Sequence, residues 1–250
     1  MDRAYFLKYY EFEKNHWWFR ARAEILKDYI ARHCSGPAPL KILNVGAATG
    51  GSIGWLSEFG HVTSIEFDKE SVAFIKEQQV TDIFEGSILE LQFPDSSFDL
   101  VCAFDVIEHV EDDSLAVREL ARVCKEKGNV LITVPANRSL WSQHDIINHH
   151  FRRYSKELLM GLLNTLPSGK LTFITYFNYY FYFPISVVRK TTNFLSRLYR
   201  NRTLKSDFEN FRPGVLNDFL FRIMVSEKGR VSSRRGYKRG VSILAHWVKE

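Results

Sequence analysis

The chain has 250 residues, 45% of them apolar, so it is long enough to bury one sizeable hydrophobic core. Its three cysteines, an odd number without a CxxC pair, exclude a disulfide framework and a zinc knuckle as the organising feature. The net charge of +5 is unevenly distributed along the chain. Residues 185–250 carry 15 Lys and Arg against 5 Asp and Glu, a net charge of +10, and the remaining residues carry a net charge of −5. The basic end suits either an anionic partner or a solvated face.

The first thirty or so residues predict one or two amphipathic helices. Aromatic residues at Tyr5, Tyr9 and Phe12 recur at helical spacing, and apolar residues do so again around Ile25 and Tyr29. This segment mixes charges with aromatic residues and lacks the unbroken apolar centre of a signal peptide. We therefore expect a cytoplasmic protein, with peripheral contact to a membrane as an open alternative.

A rhythm of short β-rich runs and helical patterns begins at Lys41. Strands are expected at KILNV, HVTSIEF, TDIFEG, FDLVCAF and GNVLITVP, and helices near Ser52, after Asp68 and around DSLAVRELARVC. Strands that alternate with helices at this pace predict an α/β fold, a doubly wound parallel sheet with helices on both faces. Right-handed crossovers make the sheet Rossmann-like.

The rhythm stops after Pro135. The polar stretch ANRSLWSQHDIINHHFRRY has no clear period and predicts a loop, which is followed by a helix capped by Ser155. Two further strands are expected at KLTFITYF and GVSILAHWV, and the roughly sixty residues between them are too many for a simple connection. The predicted organisation is an N-terminal helical lid at 1–36, a core at 37–177 and 241–250, and a helical insertion at 178–240.

A small-residue turn, NVGAATGG at 44–51, lies where the first strand becomes a helix. Such a turn lets a ligand approach the backbone, and a helix N-terminus favours negative or strongly polar groups. Glu66 follows Gly46 by about twenty residues, the spacing at which a carboxylate can bind both hydroxyls of a ribose. These residues leave a dinucleotide and S-adenosylmethionine open as ligands, although the G-x-A-x-G spacing fits a dinucleotide poorly.

The core resembles the class I S-adenosylmethionine-dependent methyltransferases, the broad group that includes the ubiquinone-biosynthesis O-methyltransferases. The likeness rests on ILNVGAATG, SIEFD, GSILELQFPDSSFDLVCAFDVIEHVED and GNVLITVP, which occur in the family's order and spacing. It covers residues 41–135 and extends to the closing strand GVSILAHWVK. The resemblance implies a seven-stranded, mostly parallel sheet whose last strand is antiparallel, and S-adenosylmethionine as the cofactor.

The same resemblance assigns the residues around the cofactor. Glu66 would bind the ribose, Phe67 would lie against adenine, and Ser87 would make a weaker version of the adenine contact for which the family uses Asp. Arg20, with Arg22 as second choice, would meet the methionine carboxylate, because a guanidinium fork suits a carboxylate. The expected cofactor-binding residues are Arg20, Asn44, Gly46, Ala47, Gly50, Glu66, Phe67, Ser87, Ile88, Phe104, Asp105 and His109, with Ala48 in place of the usual middle glycine.

A divalent metal is an alternative at the segment DVIEHVED. Asp105, Glu108 and His109 have the i, i+3, i+4 spacing of one helical face, and ubiquinone-type relatives use acidic and histidine residues there for a divalent ion. An acidic first turn that complements a helix dipole explains the same residues. We expect no bound metal.

The loop after the fifth strand holds the candidate catalytic residues. His144 and His150 are the expected general bases, and Asp145 could orient an imidazole, whose ordinary pKa of about 6.5 suits that role. The stretch WSQHDIINHHFRRYS also resembles the loop of a methyltransferase subgroup found with glycan and lipid-biosynthesis enzymes, which implies substrate contacts by Arg153 and Tyr154. Trp17 is a third expected substrate contact. Solvated surface histidines remain the alternative for this loop.

The expected reaction is O-methylation of a glycan or lipid-linked small-molecule acceptor. A quinone-pathway phenol and a non-catalytic cofactor-binding regulator stay open as alternatives. The insertion suits an anionic membrane or a phosphate-linked lipid, because apolar and basic residues share one segment: Ile185, Val188, Arg189, Lys190, Leu195, Arg197, Tyr199 and Arg200. A helix packed on the sheet with a wet basic edge is the alternative, and nucleic acid is not expected because no RNA-binding motif accompanies the basic region.

Overall fold

The structure is a computed structural model that describes residues 3–34, 36, 38–198 and 214–250, with the backbone alone at 3–5 and 193–198. Its strands are β1 Leu40–Val45, β2 Gly60–Glu66, β3 Ile83–Glu85, β4 Phe98–Phe104, β5 Cys124–Pro135, β6 Gly169–Phe177 and β7 Ser242–Lys249. Its helices are α1 Arg3–Asn15, α2 Trp17–His33, α3 Ile53–Leu56, α4 Lys69–Glu77, α5 Asp113–Val123, α6 Gln143–Ile147, α7 Lys156–Leu163, α8 Tyr182–Leu198, α9 Val215–Val225 and α10 Lys228–Ser232. Two short 3₁₀ turns lie at Ile107–His109 and Arg138–Leu140.

The strands of the described chain form one seven-stranded sheet in the order β3-β2-β1-β4-β5-β7-β6. β7 is antiparallel to β5 and to β6, and the other neighbouring strands are parallel. The strand order reverses between β1 and β4, and in a doubly wound sheet the ligand lies beyond the carboxyl ends of the strands at that point. The predicted Rossmann-like fold class, with an antiparallel last strand, is confirmed.

Helix α2 covers one face of the sheet as an integral layer of the core. Ala21, Ile25 and Tyr29 follow one another at intervals of four, so they share one helical face, and all three are buried. They pack in one cluster with Ile42 and Leu100 of the sheet. Each fully buried side chain of this size contributes about 1.5–3 kcal/mol. The sequence predicts a lid over residues 1–36, but α2 belongs to this core cluster, and α1 packs through Phe6 in a smaller cluster with Val72 and Phe74.

The segment after β5 is more regular than the plain loop that the sequence predicts. Ser142 begins α6 with a capping box, in which the Asp145 side chain accepts a hydrogen bond from the Ser142 backbone N–H at 2.8 Å. Five residues are too few to display a helical period, which explains why hydrophobic patterning misses this helix. Asp145 is fully buried as a result of this arrangement.

The insertion between β6 and β7 is tied to the junction of α1 and α2. The backbone N–H of Trp17 donates to Asn217 Oδ1 at 2.8 Å, and Asn217 Nδ2 donates to the carbonyl of Asn15 at 3.0 Å. Tyr199 and Arg200 of the predicted basic segment lie outside the described residues, as do the side chains of Leu195 and Arg197. Within the described part of the chain, no helix has the length and apolar character needed to cross a membrane.

Candidate active site

A cavity of about 1800 Å³ opens at the carboxyl edge of the sheet. Its near end lies at the turn after β1, around Gly46 and Glu66, and its far end lies after β6, at Asn178. Neighbouring strands are about 4.8 Å apart, so the four spacings from β1 to β6 give a floor about 19 Å long. The cavity is therefore large enough for a nucleotide-sized ligand and a second molecule placed end to end.

The turn at the near end is built from residues with left-handed backbone. Gly46 has φ +75°, Ala48 has φ +50° and Gly50 has φ +94°. A Cβ at Gly46 would lie 2.5 Å from Cγ2 of Val106, so the position requires glycine for space as well as for conformation. Ala48 adopts its positive φ despite its methyl group, and its replacement of the usual glycine leaves the turn intact.

Glu66 is fixed by the turn and still offers oxygen lone pairs to a ligand. Its Oε2 accepts a hydrogen bond from the N–H of Ala48 at 2.8 Å, and its Oε1 accepts one from the N–H of Asp68 at 3.0 Å. Burial raises the pKa of Glu66, although these amide hydrogen bonds oppose the rise. Beside it, the Phe67 ring is 77% exposed and lines the cavity, as a face for a planar base would. These residues fit an adenosine group.

Arg22 reaches the floor of the cavity, and Arg20 does not. Arg22 Nη2 lies 3.1 Å from Asp105 Oδ2, and the same guanidinium donates to the Thr133 hydroxyl, which in turn donates to Asp105 Oδ1 at 3.1 Å. Arg20 lies at the rim and pairs with Asp218 at 3.1 Å. The sequence ranks Arg20 first for the methionine carboxylate, whereas the structure puts Arg22, the second choice, at the end of β4.

Most of the predicted site residues line the cavity, and four do not. Those on its walls are Trp17, Arg20, Gly46, Ala47, Glu66, Phe67, Ser87, Ile88, Phe104, Asp105, His109, His144, His150 and Arg153. Asn44 is buried in β1, where its amide contacts Ser52 and Ser64, so we correct its predicted cofactor contact to a structural one. Gly50 shapes the turn without reaching the cavity.

Tyr154 and Asp145 also lie behind the cavity wall. Tyr154 is fully buried, and its hydroxyl donates to Asp113 Oδ2 at 2.8 Å, so the expected substrate contact is corrected to a core contact that anchors the loop. Phe151, which is 55% exposed, lines the cavity three residues earlier. Asp145 is predicted to orient an imidazole, and a position behind the wall is compatible with that role.

Asp145 holds His150 and Arg153 in one buried group. Asp145 Oδ1 lies 2.9 Å from His150 Nδ1 and accepts a hydrogen bond from Arg153 Nε at 2.7 Å. Burial by itself raises the pKa of Asp145, but the hydrogen bond with His150 and the charge of Arg153 hold it well below the ordinary value. A carboxylate at Nδ1 selects the tautomer protonated there, which leaves Nε2 as the basic nitrogen of a ring that lines the cavity.

Three side chains near this group could hold a metal ion. Glu108, His109 and His150 each offer a ligand atom, and these atoms lie within 4.8 Å of one another. Desolvation, with His150 acting in the same direction, lowers the pKa of His109 to about 4, so its ring is neutral at pH 7. One carboxylate and two imidazoles suit a divalent transition metal. The ligand set suggested by the sequence differs, because Asp105 is paired with Arg22.

Glu108 is a buried carboxyl group without a hydrogen-bond partner among the described residues. Both of its carboxyl oxygens are unpartnered, and its side chain lines the cavity. Burial and the charge of Asp105 raise the pKa of Glu108 well above its ordinary value. A protonated carboxyl group here can donate a hydrogen bond to a ligand. The expectation of no bound metal stays a prediction beside this geometry.

Asn178 is the polar residue of the far end. It has φ +59°, is fully buried, and neither polar atom of its side chain has a partner within the described chain. The turn that carries it is held by Glu227 Oε1, which accepts hydrogen bonds from the N–H groups of Tyr179 at 2.8 Å and Tyr180 at 3.2 Å. A buried amide that lacks a protein partner and lines the cavity can hydrogen-bond a ligand or an ordered water.

Sequence reasoning misses Asn178 and Glu13, which also lines the cavity. Asn178 directly follows a strand, at the edge of the sheet where ligands bind, and this position is the signal that could have found it. Glu13 carries no such signal. It reaches the turn only because α1 folds back over the sheet, a tertiary contact that helical spacing does not reveal.

Comparisons with known proteins agree with this geometry. A family model described as a methyltransferase domain matches residues 43–132. A probable S-adenosylmethionine-dependent methyltransferase from Mycolicibacterium smegmatis is 31% identical over 124 residues, 49% of this chain and 47% of the relative. A phosphatidylethanolamine N-methyltransferase from Cereibacter sphaeroides is 34% identical over 99 residues, 37% of this chain and 49% of the relative. The chain thus spans about half the length of the curated relatives it matches.

The fold has close counterparts among solved structures. The crystal structure of an S-adenosylmethionine-dependent methyltransferase from Thermotoga maritima superposes with a TM-score of 0.56 at 17% identity, and covers 98% of this chain and 99% of that one. That likeness shows the fold, and the matching domain supplies the motifs of the turn and of β4. Residues 43–132 are a methyltransferase domain, and the relatives that match this region are named S-adenosylmethionine-dependent methyltransferases, whose cofactor is S-adenosylmethionine.

Proposed function

We propose that the protein transfers a methyl group from S-adenosylmethionine to a hydroxyl oxygen of a glycan or lipid-linked acceptor. The observation that carries the proposal is the pair of Asp145 and His150, 2.9 Å apart, in the cavity that also holds the nucleotide-binding turn. A hydroxyl group must lose its proton to become an ether, so an enzyme that methylates one gains from a positioned base.

Different residues of this chain would bind the cofactor, accept the proton and orient the base. When bound, S-adenosylmethionine supplies an electrophilic methyl group, with Glu66 on its ribose and Arg22 at the floor. His150 Nε2 takes the proton that the acceptor hydroxyl loses. Asp145 stays ionised and stabilises the imidazolium that forms, and Arg153 holds the carboxylate in place through its 2.7 Å hydrogen bond. Residues of α1 and α8 line the cavity and would limit the access of water to the methyl group.

The cavity supports an acceptor with a polar head and an apolar tail. The inner part of the cavity holds the side-chain amide of Asn178 and the carboxyl group of Glu108, which lack protein hydrogen-bond partners among the described residues and can bind hydroxyl groups. Its outer wall is apolar, with Phe181, Ile185 and Val188 from the insertion. An amphiphile with a hydroxylated head satisfies both surfaces, whereas a small phenol leaves the amide and the carboxyl group unsatisfied.

The surface around the cavity mouth supports contact with an anionic membrane. Phe183, Val215 and Leu216 are 74%, 89% and 69% exposed, and they lie on the two helices that border the cavity. The chain from residue 185 onward carries a net charge of +10. Apolar side chains that insert and basic side chains that attract lipid phosphates act together at such a surface. The relative from Cereibacter sphaeroides carries the name of a phospholipid methyltransferase, which agrees with a lipid-linked acceptor.

The test is incorporation of a deuterated methyl group from labelled S-adenosylmethionine into lipid and glycan extracts, followed by mass spectrometry. The wild type is expected to form a deuteromethyl ether, and His150→Ala is expected to lose about 10²–10⁴-fold in rate while binding S-adenosylhomocysteine normally. His61→Ala, an exposed histidine on β2 away from the cavity, is the matched control. A label on nitrogen or on a phenol, or full activity of His150→Ala, contradicts the proposal.

A further inference from the structure

Helix α1 places one carboxylate against the nucleotide-binding turn. Glu13 Oε2 accepts a hydrogen bond from the Thr49 hydroxyl and another from the N–H of Gly51 at 3.2 Å. A Cβ at Gly51 would lie 2.8 Å from this oxygen and 2.9 Å from Cβ and Cδ of Glu13, so the contact requires glycine there. The turn is thus shaped to receive this side chain.

Glu13 meets no cation among the described residues. The charge of Arg22 lowers the pKa of Glu13 from a distance, and that guanidinium forms its ion pair with Asp105. Lys14, the next residue on α1, directs its ammonium over the ring of Tyr10 at 4.0 Å. Burial raises the pKa of Glu13 to about 7, against the hydrogen bonds from Thr49 and Gly51. A partly buried carboxylate without a counter-ion is costly, and a cationic ligand offsets that cost.

The cofactor of this family brings such a cation. S-adenosylmethionine carries an α-ammonium group, an α-carboxylate and a sulfonium, and the turn that Glu13 contacts is the one that the family uses for the methionine portion. The Thr49 and Gly51 donors, which could otherwise bind the carboxylate, are already occupied by Glu13. A second anion at this place would be repelled, and an ammonium group would be attracted.

We propose that Glu13 binds the α-ammonium group of S-adenosylmethionine, so that α1 contributes a cofactor-recognition residue as well as a cover. The inference depends on the family's cofactor and not on the identity of the acceptor. It assigns the two N-terminal helices different groups of the cofactor, because Glu13 of α1 would bind the ammonium group and Arg22 of α2 remains available for the carboxylate.

Calorimetry with paired ligands tests this assignment without any turnover. The ligands are S-adenosylhomocysteine and its deaminated analogue, which keeps the carboxylate and lacks the ammonium group. Glu13→Gln is expected to weaken S-adenosylhomocysteine about tenfold or more, the value of a charge-assisted hydrogen bond, and to leave the deaminated analogue unchanged. Glu11→Gln, at an exposed position of the same helix, is the matched control and is expected to change neither affinity.

Gly51→Ala provides a second variant that removes the contact without altering Glu13. The added methyl group displaces the carboxylate from the turn, so the same selective loss for S-adenosylhomocysteine is expected. Equal losses for both ligands in the two variants would overturn the inference, because they would assign Glu13 to holding the turn alone. Unchanged affinity for both ligands would overturn it as well. Binding of the deaminated analogue to every variant reports that the cofactor site itself is folded.

Discussion

Replacing Asp145 by Asn removes the buried negative charge at the centre of the candidate site and leaves Arg153 without its counter-ion. Asp145 is fully buried and its partners Arg153 and His150 are 3% and 8% exposed, so the guanidinium has little access to water once the carboxylate is neutralised. Removal of one partner of a buried ion pair costs about 3–5 kcal/mol, because the remaining charge stays uncompensated. For a chain of this size, about 2–4 °C per kcal/mol converts that cost into a melting temperature lower by about 6–20 °C.

The control is a more exposed pair with the same N···O distance, in which the arginine also pairs with Glu119. Arg122 Nη1 lies 2.7 Å from Asp95 Oδ1, the same distance as between Arg153 and Asp145, but the Asp95 side chain is 74% exposed. Asp95→Asn is expected to cost no more than about 1 kcal/mol, since surface pairs are screened by water. Thermal melts of the two variants at pH 7 compare the loss of a buried carboxylate with the loss of an exposed one at the same N···O distance.

The pH dependence of the same pair has a definite sign. The folded-state pKa of Asp145 is depressed, so its contribution to stability is fully present above the ordinary carboxyl pKa of about 3.9 and is lost as the pH falls through the lower folded value. The part of the stability difference between the wild type and Asp145→Asn that comes from the Asp145–Arg153 pair should therefore be constant above about pH 5. Equal melting temperatures for Asp145→Asn and Asp95→Asn would refute the reasoning from burial.

Three further predictions concern other parts of the molecule. Burial raises the pKa of Glu227 to about 7, so the wild type should lose up to about 3 kcal/mol relative to Glu227→Gln as the pH rises from 4.5 to 7, and parallel melting curves would contradict this. Gly46→Ala should destabilise by about 1–3 kcal/mol, because its Cβ meets Val106, while Gly54→Ala, which faces open space in helix α3, should be neutral or stabilise by up to about 1 kcal/mol in the same melt. Elemental analysis should find less than about 0.1 equivalent of transition metal per chain, and methyl transfer should survive a chelator; one equivalent lost in His109→Ala would reverse that expectation.

The sequence predicts the sheet well because alternation of strands and helices is a local pattern. Most strands of the core are short apolar runs bounded by polar or glycine-rich turns, so their positions depend on few distant residues. The turn at Gly46 and the carboxylate of Glu66 follow from the same local spacing. Both Gly46 and Glu66 lie on the wall of the cavity, as predicted for residues that contact a cofactor.

The sequence does not decide contacts that depend on how the ends of the chain fold back. Arg20 and Arg22 are two residues apart on one helix and point to different sides, so only the packing of α2 against the sheet determines which one meets Asp105. The same holds for Tyr154, which looks like a surface aromatic in a polar loop. Its hydroxyl is buried because Asp113 lies at the start of α5 across the core.

Side-chain contacts of the insertion link the elements at the two ends of the cavity. Arg20 of α2 pairs with Asp218 of α9, the Trp17 ring packs on Phe181 at a centroid distance of 4.5 Å, and Arg189 of α8 approaches Asp145 to 3.9 Å. The helix that follows the lid over the cofactor therefore touches the walls of the acceptor end, and α8 touches the carboxylate that orients His150. A ligand at the turn and a ligand at the acceptor end would therefore contact helices that also contact each other.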